Sequence, residues 1–154
     1  MSSLKAFEVA VELAERRRDA ARQALKNVQD ARHAAQAQLE QLTGYAAETQ
    51  GRWGMKADSA MQPEVMYHHY QFMGRLDHAI GLQTGVVSGQ DVRVDKARQA
   101  LLEAELRLAS LRKVLERRRA EVALQQQRRE QKQTDERAAL RAGRGARSPQ
   151  DQEY

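Results

Sequence analysis

Cysteine is absent from the 154 residues, which excludes a disulfide framework, a thiolate zinc site, an iron–sulfur cluster and a cysteine nucleophile. Proline occurs only twice, so little interrupts a helix. Aromatic residues make up 5% of the chain and apolar residues 41%, against 31% charged, and the mean hydropathy is −0.80. That is too little core for an ordinary globular enzyme and is the composition of long helices and coiled coils. No apolar run approaches the roughly 20 residues that cross a bilayer, and no N-terminal segment has the form of a signal sequence. The expectation is a cytosolic chain whose contact with a membrane is peripheral at most. Neither GxxxxGKS/T, strand-linked GxGxxG, GxSxG nor HExxH occurs, so no enzymatic activity, cofactor or metal is expected.

What is present is charge, unevenly spread. Lys and Arg number 26 and Asp and Glu 21, a net charge of +5. Residues 1–116 hold 16 basic and 15 acidic side chains, whereas residues 117–147 hold 10 basic and 4 acidic. The basic character therefore belongs to the C-terminal part, as in a docking segment for an acidic partner.

Apolar residues recur at alternating steps of three and four. From Leu4 the series runs through Phe7, Val11, Ala14, Arg18, Ala21, Leu25, Val28, Arg32, Ala35, Leu39 and Leu42 to Ala46, and eleven of the thirteen are apolar. A second series runs from Met73 through Leu76, Ile80, Gln83, Val87, Gln90, Val94, Ala97, Leu101, Ala104, Leu108, Leu111, Leu115 and Arg118 to Val122, with twelve of fifteen apolar. A period of 3.5 residues keeps one stripe facing a partner helix as the two supercoil, so each series predicts a coiled-coil seam.

Between the seams lie Gly51, Gly54, Asp58, Ser59 and Pro63, which supply turn and cap chemistry. The prediction is an all-α fold, a two-helix antiparallel coiled-coil hairpin with a longer second helix. Helix 1 is expected over about 3–56, a turn over 57–62 and helix 2 over about 63–142, with a disordered tail at 143–154 after Gly143, Gly145 and Pro149. A turn centred near residue 60 places residue i opposite about 120 − i. Leu4 then lies near Glu116, and everything after about Arg117 has no partner from helix 1.

Several features invite a chemical reading. His68, His69 and His78 lie close in sequence, but none is four residues from another His, so two ligands do not share one helix face and metal binding is not expected. Gly81, Gly85 and Gly89 recur every fourth residue, either as a loosely wound solvent face or as a strip for a close helix partner. Arg18, Arg32 and Arg118 fall on the seams, where their charge can snorkel outward and fix register. Five of seven aromatics, Tyr45, Trp53, Tyr67, Tyr70 and Phe72, cluster at 45–72 beside Met55, Met61, Met66 and Met73. That exceeds what a hairpin end needs for capping and reads as a protein docking site. Tyr45 and Phe72 each precede a seam position by one residue, which leaves both rings available to a partner. The other candidate surface is the basic stretch containing Arg117, Arg118, Arg119, Arg128, Arg129, Lys132, Arg137 and Arg141. No aromatic is interleaved there to stack on bases, so a protein partner is favoured over nucleic acid.

The segments QLEQLTGY at 38–45 and YQFMGRLDHAI at 70–80 resemble the flagellar export protein FliJ family, and the resemblance extends to hairpin layout, longer second helix and basic C-terminal region. It implies a non-enzymatic coiled-coil stalk of the flagellar type III export apparatus. Such a stalk promotes assembly and activity of the ring of the export ATPase FliI, contacts the export gate membrane protein FlhA and helps cycle export chaperones. It would sit at the cytoplasmic face of the cell membrane at the flagellar base. The positions matching the family's gate-binding surface are Gln38, Leu42, Tyr45, Phe72, Leu76 and Ala79. Thr49 and Gln83 stand where the family pattern has a tyrosine and a histidine. Arg117, Arg118, Arg119, Arg128, Arg129 and Lys132 are the candidates for docking to the ATPase ring. Two other readings stay open at this point: a nucleic-acid-binding coiled coil acting through 117–147, and the stalk of a related virulence secretion system.

Overall fold

A computed structural model describes residues 2–56 and 62–147. Two helices account for almost all of them, α1 over Ser2–Lys56 and α2 over Pro63–Arg147. They form an antiparallel helical hairpin whose second helix is the longer. The expected turn residues Asp58 and Ser59, and the tail from 148 onward, lie outside the described residues. At the start of α2 the Gln62 carbonyl accepts the N–H groups of Val65 at 3.1 Å and Met66 at 3.3 Å. Pro63 is the first helical residue, where its missing N–H has no partner to lose.

The far end of α2 corrects an expectation. The helix passes through Gly143 and Gly145 to Arg147 instead of stopping at 142. No described glycine has a positive φ, so neither glycine makes the left-handed cap that would end the helix there.

The chain divides into two compact units. In the first, formed by residues 1–14 and 107–154, Val11, Ala14, Leu108 and Leu115 make a buried cluster with Leu4, Phe7 and Leu111 packed against it. All seven are seam residues. The second unit, residues 15–106, buries Ala35, Leu76, Val87 and Val94, again all from the seams. Intermediate exposure at Ala21, Leu25, Val28, Leu39, Leu42, Ala46, Ile80, Ala97 and Leu101 completes the stripe. No described side chain falls below 2% exposure, as expected where one stripe of each helix is all that two helices can cover.

The register lies close to expectation, and the reach of long side chains extends the contacts. Cross-hairpin contacts in the second unit scatter about the expected total of 120, from Tyr45 with Phe72 and Ala35 with Gln83 just below it to Trp53 with His69 and Arg32 with Asp91 just above it. In the first unit Arg118 lies over the Phe7 ring and Arg119 pairs with Glu8. Arg118 and Arg119 are thus engaged by α1, which corrects the expectation that the unpartnered part of α2 begins at about Arg117. The reach of two long arginine side chains along α1 accounts for the difference.

Gly81, Gly85 and Gly89 are exposed, and a Cβ built on any of them meets nothing within 4 Å. Replacing Gly81 and Gly85 by Ala should therefore stabilise the fold by up to about 1 kcal/mol each, the difference in helix propensity. Leu108→Ala, by contrast, removes a side chain only 3% exposed and should cost about 2–3 kcal/mol. Denaturant titration of the variants, read by circular dichroism, checks both signs.

Candidate functional site

A two-helix interface has two flanks, and the seam fixes which residues occupy each. In an antiparallel pair, residues one position before a seam residue lie on the same side of both helices, and residues one position after lie on the other. Tyr45 and Phe72 are both of the first kind. Their rings meet across the hairpin edge to face, with centroids 6.1 Å apart and an interplanar angle of 84°. Each ring is partly covered by the other, while Tyr45 keeps 51% and Phe72 39% of its surface exposed. Edge-to-face pairs of this kind contribute about 0.5–1.5 kcal/mol beyond the area buried.

Of the other gate-surface candidates, Gln38 is exposed and Ala79 half-buried, both on the flank of the ring pair. Leu76 is buried and Leu42 half-buried on the seam, so these two hold the hairpin and support the rings from beneath. The structure thus gathers Gln38, Tyr45, Phe72 and Ala79 on one side and sets Leu42 and Leu76 into the packing below.

Trp53 and His69 form a second ring pair, stacked at 3.9 Å and 24°. Sequence periodicity missed it because the first seam was followed only to Ala46; two further steps of the same series reach Trp53. Tyr67 and Tyr70 remain 61% and 70% exposed, and the Tyr67 hydroxyl lies 2.8 Å from the Gln71 amide nitrogen that donates to it. No group of three or more His, Asp or Glu side chains that could hold a metal occurs among the described residues.

The opposite flank is polar. Arg22 pairs with Glu105 at 3.9 Å, and Arg32 pairs with Asp91 across the hairpin. Arg32 therefore leaves the seam for a carboxylate on α2, in keeping with a role in register. Exposed pairs of this kind add at most about 1 kcal/mol each.

Gln83 behaves differently from its apolar seam neighbours. Its Nε2 donates to the Ala35 carbonyl at 2.9 Å and is partly buried. Small Ala35 leaves room for that reach, so the hydrogen bond marks one register of the two helices.

In the first unit every described side chain from Glu116 to Gly145 is exposed. Arg118 stacks over Phe7 at 5.7 Å and approaches Glu121 at 4.0 Å, and Arg119 reaches Glu8 at 3.2 Å. Arg128, Arg129 and Lys132 make no ion pair with a described residue. Of the six basic candidates, Arg118 and Arg119 are thus paired, and Arg117, Arg128, Arg129 and Lys132 are open.

An antiparallel helical pair with exposed basic and aromatic side chains offers surfaces of the kind that dock to other proteins. The chain belongs to the flagellar FliJ protein family, whose sequence model matches residues 3–147, and is a component of a type III secretion or flagellar export system. No curated protein matches it. Among solved structures it is similar to that of the YscO homologue CT670 of Chlamydia trachomatis, with a TM-score of 0.70 and 17% identity over 96% of each chain. At that identity the likeness is one of fold. No helix among the described residues is long and apolar enough to cross a membrane.

Replacing Gln83 by Leu tests the role given to its hydrogen bond. The Ala35 carbonyl remains within the α1 hydrogen-bond ladder, so nothing is left unsatisfied, and a Leu at a seam position adds apolar burial. The variant should be as stable as the parent or more so in thermal melts. A loss above about 2 kcal/mol would show that the hydrogen bond carries stability as well as register.

Proposed function

We propose that the chain is a non-enzymatic stalk of the flagellar type III export apparatus, promoting assembly and activity of the FliI ATPase ring and linking it to the export gate FlhA and the export chaperones. The family match is to a flagellar protein, which favours the flagellar apparatus over a virulence system. The observation that carries the ring-docking part is the exposed basic stretch of α2. Arg128, Arg129 and Lys132 stand there on helical backbone with no α1 side chain recorded against them. Such a stretch offers its bases to acidic groups inside a ring without competition from α1, while Arg118 and Arg119 brace α2 against the start of α1.

Gate docking is assigned to the flank of Tyr45 and Phe72, with Gln38 and Ala79 beside them and Leu42 and Leu76 beneath. The half-exposed ring pair supplies what a docking hot spot needs: apolar area already held in place, at little entropic cost to a partner. Work at the cytoplasmic face of the membrane then follows from these partners.

Two experiments separate the roles. Deleting residues 124–154 should keep a cooperative helical melt and abolish stimulation of ATPase activity; persisting stimulation would remove the exposed stretch from ring docking. Tyr45→Ala with Phe72→Ala should weaken gate binding by more than about tenfold, the scale of losing a hot-spot pair, at a cost of about 1 kcal/mol in stability from the lost ring contact. Unchanged gate binding would take the rings out of the docking surface.

A further inference from the structure

Over residues 20–41 of α1 and 72–96 of α2 the two flanks of the second unit differ in chemistry. On the flank of the Tyr45–Phe72 pair, one residue before each seam position, α1 presents Ala20, Ala24, Asn27, Ala31, Ala34, Gln38 and Gln41. From Phe72 onward α2 presents Arg75, Ala79, Leu82, Val86, Gly89, Arg93 and Lys96 at the same steps of three and four. None of these residues is acidic. Leu82 is 61% exposed and Val86 47%, and Gly89 has open space above it. Arg75, Arg93 and Lys96 form no ion pair with any described residue. Glu103, one residue before Ala104, is the first acid on this flank beyond Lys96. On the other flank Asp91 pairs with Arg32, Asp95 with Arg98 and Glu105 with Arg22.

An exposed apolar stripe edged by unpaired bases is one half of a complementary pair. We propose that this flank seats a third helix supplied by the docking partner, an amphipathic helix with one apolar stripe and Asp or Glu along its edges. The inference rests on the gate-docking reading, whose surface it lengthens from Ala79 to Lys96 and whose partner chemistry it specifies. From Phe72 to Arg93 the seat runs about 30 Å at 1.5 Å per residue, the length of some six helical turns. Small side chains on the α1 side, Ala31 and Ala34, let a third backbone approach the groove, while Leu82 and Val86 supply its apolar floor. Arg75 stands toward one end and Arg93 and Lys96 toward the other, so an acidic helix is held by charge at both ends and by apolar contact between. A second copy of the chain fits less well, because an isologous contact sets these bases against each other.

The probe is a pair of fluorescein-labelled helical peptides of about six turns, identical in their leucine stripe, one edged with glutamate and the other with lysine, titrated against the full chain. The glutamate-edged peptide should bind at least about tenfold more tightly at low salt, with the advantage shrinking as salt screens the charges. Leu82→Glu with Val86→Glu should weaken it by about tenfold or more, as truncating or charging a central contact does, whereas Thr84→Glu with Ser88→Glu on the other flank should leave it unchanged. Leu82→Ala with Val86→Ala, which keeps helix propensity, should weaken it in the same direction with an unaltered melt. Equal affinity for the two peptides, or indifference to the changes at Leu82 and Val86, overturns the proposal. So does self-association abolished by those same changes, since the occupant would then be a second copy. The gate-docking reading fails separately: if Tyr45→Ala with Phe72→Ala leaves gate binding intact while the peptide results hold, the helix seat stands with a different partner. If gate binding needs the rings but the peptide results fail, docking stands without the extension.

Discussion

Two helices can cover only one stripe of each other, and that limit governs this molecule. The seams from Leu4 and from Met73 supply every buried residue described, and even the best buried of them, Ala14 and Leu108, keep 3% of their surface exposed. Stability comes from many modest contacts repeated along the helices, with hydrogen bonds inside each helix satisfied locally. No third layer exists among the described residues of either unit to enclose a pocket. Whatever the protein does to other molecules it does with its flanks and its exposed helix, which is why the reading turns on docking surfaces.

The same limit explains the division of labour among side chains. A polar residue on the seam must either leave it or find a partner within it. Arg32 leaves for Asp91 and Gln83 reaches the Ala35 carbonyl; Arg18 bends to Asp19, its neighbour in sequence. Arg32 and Gln83 tell the two helices which register to adopt, since apolar side chains repeated at a constant period accept a shift by one heptad almost as well. Flank residues carry no such duty and are free to be selected for partners. In the second unit, the flank of the ring pair carries apolar groups and unpaired bases, and no acid, from Phe72 to Lys96.

Much of this was legible from the chain itself. The 3.5-residue period named the seam residues one by one, and Pro63 marked the start of α2, because both depend on local geometry. The register needed more. A position for Arg118 over Phe7 follows only if the facing residues are known to within about two places, and the turn residues 58 and 59 do not fix that. Tyr45 and Phe72 were visible as neighbours of seam positions, yet their contact depends on the antiparallel sense, which puts both on one side. Gly143 and Gly145 read as a helix end, but a glycine ends a helix only where it takes up a left-handed conformation, and here neither does. The family resemblance carried the functional reading farther than periodicity could, since coiled coils of unrelated function share the same seam.

If seam pairing is what holds the fold, the part of α2 beyond the reach of α1 rests on helix propensity alone, and an isolated helix of some two dozen residues is marginal in water. Amide hydrogen exchange on the free chain measures this residue by residue. Protection should be strong through the seam residues of both helices as far as about Val122 and should fall steeply over residues 124–145. Uniform protection from Leu108 to Gly145 in the monomeric chain would contradict the account, because something other than seam pairing would then be stabilising the helix.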